Sequence, residues 1–207
     1  MAITIGTFGG VQSNTISVST LTTTSKLVAI VGIHQGTVSG VTLNGSPLTF
    51  RKNAATAFNE TVEIWDIDNP GALTGVSLTS STSGGSGPTI GYINLINSLT
   101  GAPDNSATAN GGSSTASVDI LPNTNNCIVI GGMYSEADGT IGVGESQIFI
   151  VQGASFENSD GSYVIQTAKA TQTVDYGLSS SQRWACCAIS VGAAVLPKVG
   201  SMLVMFR

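Results

Sequence analysis

Apolar residues in this chain recur at every second position or in short unbroken runs, and glycine, asparagine and aspartate close each run within ten or so residues. No sustained i, i+3, i+4, i+7 pattern occurs, and no capping box precedes an apolar run. A chain patterned in this way is restricted to an all-β fold. The spacing predicts strands over 2–8, 15–20, 26–34, 39–44, 46–51, 61–67, 73–80, 89–97, 114–120, 126–134, 145–152, 162–169, 171–176 and 183–192. Turns are expected at Gly9-Gly10, Asn44-Gly45, Asn69-Pro70-Gly71, Gly84-Gly85, Gly111-Gly112, Asp138-Gly139 and Asp160-Gly161. With 207 residues the chain suits one all-β sandwich, which routinely runs to roughly 200–250 residues. The expectation is a two-sheet antiparallel β-sandwich of the jelly-roll type over 1–192, with an apolar C-terminal strand or docking arm over 193–207.

The sharpest local signal is Val41-Thr42-Leu43-Asn44-Gly45-Ser46-Pro47-Leu48-Thr49-Phe50. Asn-Gly fits the two positive-φ positions of a type I′ hairpin turn. Pro47 cannot donate to a ladder, which places its side of the hairpin at an edge or a bulge. In Thr61–Ile67 the alternation puts Val62, Ile64 and Asp66 on one face and Glu63, Trp65 and Ile67 on the other. Leu27–Val31 and Ile128–Ile130 are apolar throughout, as strands covered on both faces are.

An internal repeat links these two runs. Ser17-Val18, Leu21, Thr24 and Leu27–Gly32 recur as Ser117-Val118, Leu121, Thr124 and Cys127–Gly132, always 100 positions on. Two related halves, each with a polar strand followed by a buried one, would produce this pattern. The stretch 100–114 between them, rich in Gly, Ser, Ala and Asn, is expected to be a long surface crossover.

Charged residues make up 9% of the chain, against roughly 25% in an ordinary soluble domain. Hydrophobic residues reach 41% and mean hydropathy is +0.28, too apolar for a disordered chain. The exterior is therefore expected to be neutral and rich in hydroxyls. The 7 Lys and Arg residues are scattered, with none of the clustering that phosphate backbones require, so nucleic acid is not an expected partner. No apolar run approaches the ~18 residues of a membrane span, so no membrane is expected either. No secretory signal is apparent, which suggests synthesis and folding in the cytoplasm. Cys127, Cys186 and Cys187 form neither a disulfide framework nor a metal-binding spacing, and read as small buried hydrophobes.

Signs of catalysis are sparse. The only histidine, His34, sits at a strand end, where a loop hydrogen bond is its expected role, and the Gly-x-Ser-x-Gly elbow does not occur. A glycosidase needs two carboxylates. The candidates are Glu60, Glu63, Asp66, Asp68, Glu136, Asp138, Glu145, Glu157 and Asp160. Asp66 and Asp68, two apart, share a face and could bind Ca²⁺, but are expected to face water. Glu157–Gly161 has the oxygens and glycine of a cation loop without the EF-hand pattern, and is expected to be a polar turn. No cofactor or metal is expected. Tyr92, Tyr134, Tyr163 and Tyr176 could stack on sugars, though cross-strand packing is the favoured role.

Several motifs carry a resemblance. Val41-Thr42-Leu43-Asn44-Gly45-x-x-Leu48-Thr49, Glu63-Ile64-Trp65-Asp66-Ile67-Asp68-Asn69-Pro70, Thr74-Gly75-Val76-Ser77-Leu78 and the closing Gln182–Val191 strand are similar to a family of jelly-roll β-sandwich domains. Those domains occur in virion proteins of tailed bacteriophages (capsid decoration, head-fibre and tail-associated) and in some bacterial surface proteins. The resemblance spans about 15–192. It implies a virion structural protein, such as a capsid decoration or cement subunit or a head or tail appendage, and no catalytic residues. Its partners would be capsid or tail proteins of the same particle and further copies of the chain. Glycan binding for host attachment is the alternative. The tail after 192 departs from the family pattern, and Val195, Leu196, Val199, Met202, Leu203, Val204, Met205 and Phe206 are its candidate assembly contacts.

Overall fold

The computed structural model describes residues 2–152 and 158–194. The candidate assembly contacts between Val195 and Phe206, and Glu157, lie outside the described residues. Among the described residues every element is a β-strand: β1 Thr4–Val11, β2 Thr15–Thr20, β3 Thr24–Leu43, β4 Ser46–Pro47, β5 Thr49–Ala55, β6 Glu60–Asp68, β7 Leu73–Ile96, β8 Asn105–Ile120, β9 Cys127–Ser135, β10 Gly139–Ile141, β11 Ser146–Val151, β12 Asn158–Gln166 and β13 Gln172–Gly192. They form two antiparallel sheets stacked as a sandwich. The first runs β1-β7-β3-β6-β5, with β2 added on β7 and β4 on β3. The second runs β10-β13-β9-β12-β11, with β8 added on β13.

The inner faces meet over Val28, Ile30, Val62, Ile64, Ile128, Ile130, Phe149, Cys187 and Ile189. The central strands β3 and β9 are flanked on both sides, and Leu27–Val31 and Ile128–Ile130 are fully buried, as their unbroken apolar runs predict. Both sheets then curl. In β3 the register shifts between Gly32 and His34. Beyond it the strand pairs with the first half of β7, which folds Val41, Leu43 and Leu78 back over Leu27, Ala29, Val31 and Ile90. The first half of β13, the second half of β8 and β10 fold likewise, packing Val118, Val174 and Tyr176 on Val129, Met133 and Cys186.

The repeat therefore has a structural counterpart. β3 pairs with β6 and β7 as β9 pairs with β12 and β13. Val18 faces Val76 in register as Val118 faces Val174. Val28 and Ile30 meet Ile128 and Ile130 in the shared core, while Ala29 and Val129 enter the two outer cores.

Some boundaries differ from expectation. The runs at 26–34 and 39–44 are one strand, as are those at 73–80 and 89–97, and those at 171–176 and 183–192. Gly84 and Gly85 bend β7 rather than end it: their φ values are +67° and +69°, and a side chain at Gly85 would strike the backbone of His34 and Gly36. Residues 105–114 are not a loop but the first half of β8, paired to β13. Gly111 and Gly112 lie within that ladder opposite Trp184 and Arg183, and a Cβ on Gly111 would come 2.6 Å from the Trp184 ring. Asp160-Gly161 is mid-strand, because Gly161 clears the Phe149 ring. The Asn44-Gly45 hairpin forms as expected, with φ of +49° and +81°, and Pro47 sits at an edge, facing Thr42.

Candidate functional site

Strand phase, rather than charge, decides where the ionisable side chains go. Glu60, Val62, Ile64 and Asp66 alternate onto the inner face of β6. Both carboxylates are thereby carried between the sheets, one at each end of the shared core. Register puts Lys26 opposite Asp68 and His34 opposite Glu60.

At one end the Lys26 ammonium is fully buried. It donates to Asp66 Oδ2 at 2.8 Å, Asp68 Oδ1 at 2.5 Å and the Gly101 carbonyl at 3.0 Å. Arg51 donates from Nε to Asp66 Oδ1 at 2.7 Å and from Nη2 to the Gly101 carbonyl at 3.0 Å. The Gly101 amide donates to Asp68 Oδ2 at 2.6 Å. This corrects the expectation that Asp66 and Asp68 face water: Asp66 has no exposed surface. The cations that share it come from strands the local sequence does not identify as neighbours.

At the other end the first sheet contributes His34 and Glu60, and the second contributes Glu136 and Arg183. The Glu60 side chain is fully buried; Thr56 Oγ1 donates to its Oε2. Glu60 Oε1 lies 3.6 Å from His34 Nε2 and 3.4 Å from Arg183 Nη2, and hydrogen-bonds to neither. Arg183 Nη2 donates to Glu136 Oε1, and the guanidinium carbon sits 4.1 Å above the Phe58 ring. The Arg183 guanidinium thus lies within ion-pair distance of both Glu60 and Glu136.

A third group lies under the curl of the second sheet. Asp160 is fully buried, and among the described residues neither carboxylate oxygen has a hydrogen-bond partner. Burial, with a smaller push from Asp138, raises its pKa to about 7. Ser162 Oγ contacts Tyr176 Oη at 3.0 Å and donates to Glu145, which also accepts the Asp175 amide at 2.8 Å. Burial raises Glu145 and Tyr176 as well. Asp160 is therefore a strand residue of the interior, not part of a polar turn.

Of the tyrosines, Tyr134 and Tyr176 are fully buried and Tyr92 nearly so, in keeping with packing rather than sugar stacking. A half-exposed aromatic pair lies instead on the first sheet. Phe50 and Trp65 face each other in register on β5 and β6, with centroids 5.3 Å apart and planes at 72°. Trp65 Nε1 donates to Glu63 Oε2 at 2.8 Å. The three cysteines are buried and free, matching the hydrophobic reading.

Large exposed apolar side chains gather at the end where β3 and β9 begin: Leu21 (54%), Leu99 (42%), Leu121 (45%) and Ile165 (49%). A cavity of about 50 Å³ opens there among Ala2, Ile3, Cys127 and Ile165. Ala193 and Ala194 lie beside it, their amides bonded to the carbonyls of Asn126 and Asn97.

No family model matches this chain, and no curated protein does. Among solved structures it is similar to a conserved protein of unknown function from Pseudomonas aeruginosa PAO1. That similarity has 11% identity and a TM-score of 0.30, over 91% of this chain and 78% of that one.

Proposed function

We propose that this chain is a non-catalytic structural subunit of a virion, of the jelly-roll kind its hairpin and strand motifs resemble, serving as a capsid decoration or cement protein or as a head or tail appendage. The observation that carries the reading is the apolar end. Leu21, Leu99, Leu121 and Ile165 stand exposed at the end that holds Ala193 and Ala194, and the sequence that follows, from Val195 to Phe206, is rich in apolar residues. Half of the eight large exposed apolar side chains among the described residues lie at this end, and apolar surface gathered in one region suits a contact. A surface with few charges suits packing against fixed neighbours in a symmetric set. Buried, unpaired thiols suit a protein assembled in a reducing cell.

The test is the copy number of this chain in purified particles, measured by quantitative mass spectrometry against the main shell protein. A number comparable to the shell supports a decoration or shell role, and a few copies per particle supports an appendage. Absence from particles overturns the reading. In solution, the full chain carrying L203D and F206D should shift to a smaller species in light scattering.

Glycan binding is the second reading, favoured by the Phe50–Trp65 pair beside Glu63. The exposed Phe50 ring and the half-exposed Trp65 beside it offer a sugar an apolar stacking face, and the buried Glu63 holds the Trp65 indole in place. A glycan array on which the wild-type protein binds and W65A does not would support it.

A further inference from the structure

The geometry points to a divalent transition-metal site formed by His34, Glu60 and Glu136, with Arg183 as the cation that competes for it. One imidazole nitrogen and two carboxylate oxygens from these side chains lie within 4.8 Å of one another. This donor set suits Zn²⁺, Mn²⁺ or Fe²⁺, whereas Ca²⁺ prefers a shell of oxygens.

A cluster of charged groups is not in itself a site, but here two of the donor atoms are buried without a hydrogen bond among the described residues. Glu60 is fully buried, and among the described residues neither its Oε1 nor the buried His34 Nε2 has a hydrogen-bond partner. Buried polar atoms are overwhelmingly paired, yet these two face each other at 3.6 Å. Metal bonds of about 2.0–2.2 Å place neighbouring ligand atoms roughly 3 to 3.5 Å apart, so an ion between His34 and Glu60 needs little movement of either. Glu136 closes the third side from the second sheet.

Arg183 is an imperfect occupant. It satisfies Glu136 but stands 3.4 Å from Glu60 Oε1 without a hydrogen bond, and its own Nε is buried without a partner. Its side chain is about one-third exposed (34%) and rests on the exposed Phe58 ring, so it can swing outward and leave both carboxylates to the ion. Two carboxylates facing one guanidinium also leave an uncompensated negative charge that a divalent ion would offset. Because the ligands come from both sheets, bound metal would tie the sheets together at the end opposite the Lys26 cluster.

The experiment titrates the full-length, chelator-treated protein with Zn²⁺ by calorimetry and with Co²⁺ by visible absorption, and records thermal melts with and without Zn²⁺. Expected are one equivalent bound per chain, Co²⁺ ligand-field bands and a raised Tm. H34A and E136Q, both at the mouth of the cluster, should each weaken binding by at least about tenfold, and R183Q should tighten it. Two results overturn the proposal. One is no saturable binding by either the wild type or R183Q. The other is binding that survives unchanged in both H34A and E136Q, which would place the ion elsewhere.

Discussion

Lys26 and Asp66 meet at 2.8 Å with essentially no solvent contact on either side chain, at the rim of the core that the two sheets share. Breaking a buried pair leaves an uncompensated charge, which typically costs about 3–5 kcal/mol. K26M should therefore lower stability by that order in urea denaturation, since Arg51 alone remains for Asp66. The double variant K26M/D66L should recover much of the loss, because a buried ion pair adds little over an apolar pair of similar volume.

Asp160 should make the protein less stable as pH rises. Its carboxyl titrates near 3.8 when unfolded but at about 7 in the fold, so the folded state holds a proton that the unfolded state has released. Folding is thus favoured fully below pH 4, and stability falls as pH climbs from about 4 to about 7, by up to about 4 kcal/mol. D160N removes the titration. Urea midpoints measured from pH 4 to pH 8 should decline for the wild type relative to D160N and run parallel above pH 7. Equal profiles across the range would refute the assignment.

The Phe149 ring lies where side chains at Gly10, Gly91 and Gly161 would be. A Cβ on Gly161 would come 2.5 Å from the ring and 3.0 Å from Ile30 Cδ1. G161A should cost about 1–3 kcal/mol by overpacking. In an F149L background the same substitution should cost clearly less, a coupling that a double-mutant cycle measures directly.

The thiols should be silent in the native protein. Cys127, Cys186 and Cys187 are all fully buried, and burial pushes each thiol up, while only the thiolate reacts. A disulfide reagent at pH 8 should release no signal from folded protein over minutes, and three equivalents once guanidinium is added. Rapid native reaction of any thiol would show that the core opens.

Much of the frame is visible in the residues themselves. Asn44-Gly45 marks its hairpin, and the apolar runs at Leu27–Val31 and Ile128–Ile130 mark the two central strands. Glycine was the main source of error, because it answers several different demands. At Gly45 it makes a turn, at Gly85 it relieves a bulge against His34, and at Gly111 and Gly161 it makes room for a ring arriving from another strand. The charged sites were hidden for another reason. The phase of β6 that places Val62 and Ile64 inward also places Glu60 and Asp66 inward, but their charge argued for the surface. Only the pairing of distant strands reveals Lys26, Arg51 and Arg183 as their counterions.

The matched pairing of β3 with β6 and β7, and of β9 with β12 and β13, has a consequence for ancestry. The two halves bury against each other the faces that carry Val28, Ile30, Ile128 and Ile130. A half-length progenitor would have exposed that face to water unless a second copy covered it. The sandwich is thus organised as a dimer written into one polypeptide. The match between the halves is not complete, for the inter-sheet end carries His34 and Glu60 from one sheet and Glu136 and Arg183 from the other, four different side chains at one junction.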